Sequence, residues 1–271
     1  MLFARKLFRL DRYVRVPAIL FFRNLGLGMA LLLTMSACGA SIQGSISNPT
    51  ATPSAPIRHE LANPTDTALA RTVLLRPSEL PAGWTPVGQE DDTAADLTNN
   101  RFCVSDYPAY VAGSFIAYSF RLDPKTNYEQ GHLAVWIRMT DSDADAQRQL
   151  DLLSSPKADT AAANQCWLEG YKTLIAEAVG PDNLLPGPEL LPKRTLTSPL
   201  SGLILRASVP YRFLNADKVI YFDDIRIQKG RIVARLLFQT CCKPFSYATD
   251  EAPEVEAVAK RMVSASADVT A

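Results

Sequence analysis

The segment DDIRIQKGRIVARLLFQ, residues 223–239, narrows the choice of fold more than any other stretch of this 271-residue chain. Two runs of alternating apolar and polar residues flank Lys229-Gly230. Alternation of period two marks strands with unlike faces, and a glycine between such runs supplies the positive φ of a tight hairpin turn. With Lys229 and Gly230 as turn residues, Gln228 faces Arg231, Ile227 faces Ile232, Ile225 faces Ala234 and Asp224 faces Arg235. One side of the hairpin then collects Ile225, Ile227, Ile232, Ala234, Leu236 and Phe238. The other collects Asp224, Arg226, Arg231, Val233 and Arg235. An antiparallel sheet with one greasy face and one charged face is implied.

Other segments supply more of the same sheet. GHLAVWIRM (131–139) sets Leu133, Val135, Ile137 and Met139 against His132, Ala134, Trp136 and Arg138. SGLILRASVPYRF (201–213) puts Leu203, Leu205, Ala207 and Val209 on one face, and an aromatic strand runs from about Phe115 to Leu122. Residues 71–75 read as a short strand or turn, the Pro-Ser-Glu-Leu at 77–80 as a helical turn, and residues 88–100 and 180–192 as loops. Helices are expected in DSDADAQRQLDLL, capped by Asp141 or Ser142, and from Glu254 to Val263, where Val255, Val258, Ala259 and Met262 form an apolar stripe. The expected class is α+β: an antiparallel sheet of five or six strands with helices packed on one face, stapled by disulfides, in one domain over residues 68–271.

The N-terminal segment addresses the compartment. Residues 1–37 carry Arg5, Lys6, Arg9, Arg12, Arg15 and Arg23 against Asp11, then an apolar run from Leu25 to Ala37. A dozen or so apolar residues suit a secretory signal better than a span of roughly 30 Å of hydrocarbon. Met35-Ser36-Ala37-Cys38-Gly39 resembles a bacterial lipobox, so residues 1–37 read as a lipoprotein signal peptide and Cys38 as the lipidated residue, carrying diacylglycerol and palmitate. Residues 38–67, rich in Ser, Thr, Pro, Ala and Asn, read as a flexible tether. Taking six basic and one acidic side chain from 28 of each leaves 22 and 27, a net charge of −5 for the mature chain. That balance argues against a nucleic-acid role, which usually needs a concentrated basic surface.

Cys103, Cys166, Cys241 and Cys242 remain, an even number that points to two disulfides in an exported chain. Neighbours on a strand point to opposite faces. Cys103 and Cys166 are therefore each expected to reach one of the adjacent pair. The alternative is a 241–242 ring with a 103–166 bridge. Metal binding is not expected, since there is no Cys-x-x-Cys and histidine is nearly absent.

Catalytic sets are equally scarce. The mature chain holds only His59, in the tether, and His132, and it has no Gly-x-Ser-x-Gly elbow or phosphate-cradling glycine loop. No cofactor is expected. A binding surface has more support: strand parity places Trp136, Arg138, Arg206, Arg226 and Arg235 opposite the aliphatic core, where arginines and an aromatic could hold an anionic ligand. The plain alternative is a solvated sheet face with Arg–Asp pairs.

LLRPSELPAGW (74–84), the late hairpin, the cysteine positions and the C-terminal helix resemble a loose group of bacterial lipoproteins and kinase sensor domains. The group includes the extracytoplasmic sensor domain of mycobacterial PknH-type kinases and Mog1/PsbP-like lipoproteins, and the likeness runs over most of residues 70–265. It implies a disulfide-stapled α+β fold, a cleft on the sheet and no catalysis; the adjacent Cys241-Cys242 pair departs from the pattern. Together these features predict a lipid-anchored protein of the cell membrane facing outside the cytoplasm, a sensor-like domain with an envelope ligand or protein as partner. An envelope enzyme and a structural or assembly protein are the alternatives.

Overall fold

A computed structural model describes residues 63–93, 97, 103, 107–120 and 131–269. The segment expected to be a signal peptide, Cys38 and nearly all of the expected tether lie outside them. The chain enters through helix α1 (Pro64–Val73), whose first turn is capped by the Asn63 side chain accepting from the amides of Thr65 and Asp66. The Asn63 amide donates to Val111 O, so the fold begins ahead of residue 68. The sheet is antiparallel and has eight strands, three of them short or at an edge. They are β1 (Trp84–Asp91), β2 (Tyr110–Phe120), β3 (Gly131–Thr140), β4 (Glu189–Leu190), β5 (Arg194–Leu196), β6 (Gly202–Phe213), β7 (Ala216–Lys229) and β8 (Ile232–Cys241). Their order is β1-β2-β3-β8-β7-β6-β4, with β5 also on β6.

The strand count exceeds five or six because edge pieces are weak sequence signals. Strands β4 and β5 have two and three residues, and β1 carries Pro86 and a register shift between Pro86 and Gly88. Such features protect an open edge while erasing alternation. Gly88 to Asp91 thus belongs to a strand rather than to a loop, and residues 71–73 end a helix. The 3₁₀ turn at Pro77–Glu79 and the Ser142 cap of helix α2 (Asp143–Ser154) are as expected.

The hairpin forms one step away from the expected register. Its turn residues are Gly230 and Arg231, and Lys229 pairs with Ile232, Ile227 with Ala234 and Arg226 with Arg235. The reason is backbone geometry: the first central residue of a hairpin turn of this kind needs positive φ, and Gly230 has φ 55°. Placing Lys229 there would strain a residue with a Cβ. Each partner moves by two positions, so parity survives and the strand residues keep their faces; Arg231, expected on the charged face, sits in the turn instead and pairs with Asp66 of α1 at 2.8 Å.

On the first face Leu133, Val135, Ile137, Met139, Ile225, Ile227, Ala234, Leu236 and Phe238 are buried against Ala70 and Val73 of α1. The stripe Val255, Val258, Ala259 and Met262 of helix α4 (Ala252–Val269) packs on the same face. The second face is covered as well, contrary to the expectation of helices on one side only. Leu203, Leu205, Ala207, Val209, Phe222 and Leu237 pack beneath Leu153 of α2 and Trp167, Tyr171 and Ile175 of helix α3 (Ala161–Val179). Helix α3 carries Ala163, Trp167, Tyr171 and Ile175 at four-residue spacing behind a Thr160 cap. It is the element that decides the fate of the charged face.

The cysteines pair as Cys103–Cys166 and Cys241–Cys242, the alternative arrangement. Strand alternation does not separate Cys241 from Cys242 because β8 stops at Cys241, and Cys242 turns back with φ 75°. Cys166 rides on α3, which brings it to Cys103 instead.

Candidate functional site

The arginine face is a buried ionic network at the seam between the sheet and α3. Asp224, fully buried, stands at its centre. Arg235 donates from Nε and Nη2 to the two carboxylate oxygens at 2.9 and 2.7 Å. Arg226 does the same at 3.3 and 3.1 Å, and the Tyr171 hydroxyl donates at 3.3 Å. The shifted hairpin register sets Arg226 directly across from Arg235, a like-charge pair that would be unfavourable alone. Asp224, two residues along the same face, neutralises the repulsion by bridging both.

Aromatic rings complete the shell. The Arg226 guanidinium lies 5.2 Å from the Trp167 ring centre, and its Nη1 reaches the Tyr107 hydroxyl at 3.3 Å. Arg235 lies 4.9 Å from the Trp136 ring, itself packed on Phe115 at 4.9 Å. Tyr171 stacks on Phe222 at 4.8 Å. Guanidinium faces over indole rings gain cation–π attraction that grows as water is excluded.

A second pair adjoins the first. Arg138 donates to Asp92 at 2.7 Å and lies 5.1 Å from the Tyr110 ring, which meets Tyr107 edge-on. Gly113 allows the pair to sit against β2, since a Cβ there would overlap the Asp92 carboxylate.

Four of the five expected residues, Trp136, Arg138, Arg226 and Arg235, therefore converge, and Arg206 does not. Arg206 is paired with Asp223 across β6 and β7, on the first face, and also donates to Phe245 O at 2.9 Å. The converging arginines are not an open grip for an anion. Arg226 is 1% exposed and Arg138 8%, and both spend their donors on carboxylates and tyrosines of the same chain. Asp92, Tyr107, Tyr110, Trp167 and Tyr171 are the members that sequence reasoning missed. The Trp167/Tyr171/Ile175 spacing was the available signal for the last part of the set.

The electrostatics are those of a clamp. Burial alone would raise the Asp224 carboxyl, but the Arg226 and Arg235 charges outweigh it and hold it well below the usual carboxylate range. Burial would lower Arg226, and Asp224 turns that into a rise. Tyr171 is pushed up by burial and by the Asp224 charge. Each group is driven away from neutrality-range proton exchange rather than toward it, the reverse of a tuned acid or base. His132, on β3, is pushed down by burial and stays neutral at pH 7. Two surface depressions lie elsewhere, one along α4 by Glu79, Glu256, Lys260 and Arg261, the other by Asp143, Gly230, Arg231 and Val263.

The sequence matches no protein-family model and no curated protein. Among solved structures, it is similar to the extracellular domain of PknH from Mycobacterium tuberculosis at 8% identity and a TM-score of 0.39, over 77% of this chain and 98% of that one. It is also similar to LpqN, involved in cell envelope biogenesis of the same organism, at 12% identity and a TM-score of 0.27, over 69% and 79%. At these scores neither likeness carries a family or a function across to this chain.

Proposed function

We propose that this chain is a lipid-anchored extracytoplasmic domain that binds an envelope ligand or protein partner and catalyses no reaction. The observation that carries the reading is the closed set of cysteines. Among the described residues Cys103 bonds Cys166 and Cys241 bonds Cys242, so neither bridge uses Cys38, at the end of the signal-like segment. Two disulfides suit an oxidising compartment, and a remaining cysteine before a Ser/Thr/Pro-rich stretch suits an anchor. The non-catalytic part rests on the Asp224 network, whose charges are fixed rather than poised for proton transfer. No helix among the described residues is long and apolar enough to cross a membrane. Lipid labelling of cells tests the reading. The wild-type chain should take up radiolabelled palmitate and leave membranes in detergent but not in high salt, and Cys38→Ala should take up no label. A wild-type chain that takes up no label would overturn the anchor.

A further inference from the structure

The Cys241–Cys242 bridge differs in kind from Cys103–Cys166. The latter closes a sequence separation of 63 and so removes much unfolded-chain entropy; a bridge at separation 1 closes no loop to speak of. It therefore does not staple the domain, and its position points to a local task. Cys241 ends β8 opposite Ile220, half-buried, and Cys242 is exposed to solvent. Cys242 turns the chain back with φ 75° and donates its amide to Val219 O at 2.7 Å. That bond lies one residue past Ile220, beyond the last β7–β8 pair. The Tyr211 hydroxyl lies 3.4 Å from Cys241 Sγ.

The braced segment is a ribbon of β6 and β7, flanked on its β6 side by the Leu184–Tyr211 bridge and the Leu185 amide donating to Pro210 O at 3.0 Å. Past Ile220, β7 pairs only with β6, from Pro210↔Val219 to Phe213↔Ala216. The ribbon ends at Leu214 and Asn215, both with positive φ (49° and 63°), and Leu214 is 75% exposed. Beyond the bridge, the Thr240 hydroxyl donates to Lys243 O and Phe245 packs edge-on against Phe238, so the onward chain to α4 is fixed independently.

We infer that Cys241–Cys242 is a thiol–disulfide exchange site for an extracytoplasmic dithiol, and that its redox state sets how firmly the β6–β7 ribbon is held. A thiolate of the dithiol attacks the exposed Cys242 Sγ, the Cys241–Cys242 bond breaks, and Cys241 leaves as a thiolate that takes up a proton. The second thiol of the dithiol then attacks its own mixed-disulfide sulfur, freeing Cys242 as a thiol. The protein gains two electrons and two protons, and the dithiol is oxidised to a disulfide. With the bridge open, Cys242 is free to leave its αL turn, and the ribbon loses the bond from the Cys242 amide to Val219 O. The proposal needs only the folded domain and stands whether or not Cys38 carries lipid.

The test is graded reduction of the folded chain with dithiothreitol, followed by alkylation, peptide mapping and hydrogen exchange. Cys241 and Cys242 should be alkylated at a concentration at least tenfold below that which opens Cys103–Cys166. The amides of Cys242 and residues 216–219 should then exchange at least tenfold faster, with α4 and the central strands unchanged. Cys241→Ser/Cys242→Ser should fold, melt near the wild-type temperature and show the reduced exchange pattern from the start. Opening of both bridges together, unchanged exchange in the ribbon after reduction, or failure of the double variant to fold would each overturn the proposal.

Discussion

Replacing Asp224 with asparagine removes one charge at nearly constant shape, so the consequence is electrostatic rather than a packing defect. In the native network Asp224 is fully buried and accepts from four arginine nitrogens and the Tyr171 hydroxyl. Its loss leaves two guanidinium groups opposite one another, one of them 1% exposed. The asparagine amide also turns a donor toward donors. Breaking a buried ion pair by removing one partner costs about 3–5 kcal/mol, because the remaining charge is stranded away from water. For a domain of this size that corresponds to a drop in melting temperature of roughly 6–20 °C. Thermal and urea unfolding of the purified domain would measure it. Two companions isolate the cause. Asp217→Asn, in an exposed pair with Arg212, should leave the melting temperature unchanged. Asp224→Leu/Arg226→Met/Arg235→Met should recover most of the loss, since a buried ionic cluster and an apolar one of similar volume are often of similar stability. An Asp224→Asn domain within about 0.5 kcal/mol of wild type would mean that the network is hydrated rather than sealed.

Other outcomes follow from the same geometry. Cys103→Ser/Cys166→Ser reopens a loop of separation 63 and should destabilise the domain by about 4 kcal/mol in urea unfolding. Acid should act in two stages. His132 has a folded pKa lowered by burial, so its contribution is full above the unfolded value of about 6.5 and declines as pH falls below it. Asp224 has a depressed folded pKa, so its larger contribution is full above about pH 4 and is lost below that. Melting curves across pH should show both steps, with His132→Gln removing the upper one. Gly202→Ala should cost about 1–3 kcal/mol by thermal melting, because a Cβ there meets the Arg226 carbonyl and Ile227.

Where the sequence was legible, a single periodicity met a single neighbour. The Val255/Val258/Ala259/Met262 stripe and the Leu133-to-Met139 alternation each faced one apolar layer, and both lie where expected. The hairpin faces were readable although its register was not, because a two-position slip preserves parity while the choice of turn residue depends on a single φ. The second layer was lost at α3. Its start, Ala-Ala-Ala-Asn-Gln-Cys, carries little amphipathic contrast, and its apolar residues are spread over aromatic and aliphatic types. Without it, the charged side of the hairpin looked like a solvated face. Polar residues on a strand specify neither water nor burial; a carboxylate between two arginines serves either. Arg206 went astray for a related reason: parity within β6 was readable, but which face of β6 met which face of β7 depended on a register set in three dimensions.

The four cysteines of the folded domain bond only to one another, and the proposed anchor is Cys38. Mass spectrometry of the mature chain taken from membranes tests both halves at once. The prediction is an N-terminal, diacylated Cys38, a linked peptide joining Cys103 to Cys166, and a single peptide closed internally between Cys241 and Cys242. An unmodified Cys38 still joined to residues 1–37, or a peptide linking Cys166 to Cys241 or Cys242, would contradict it.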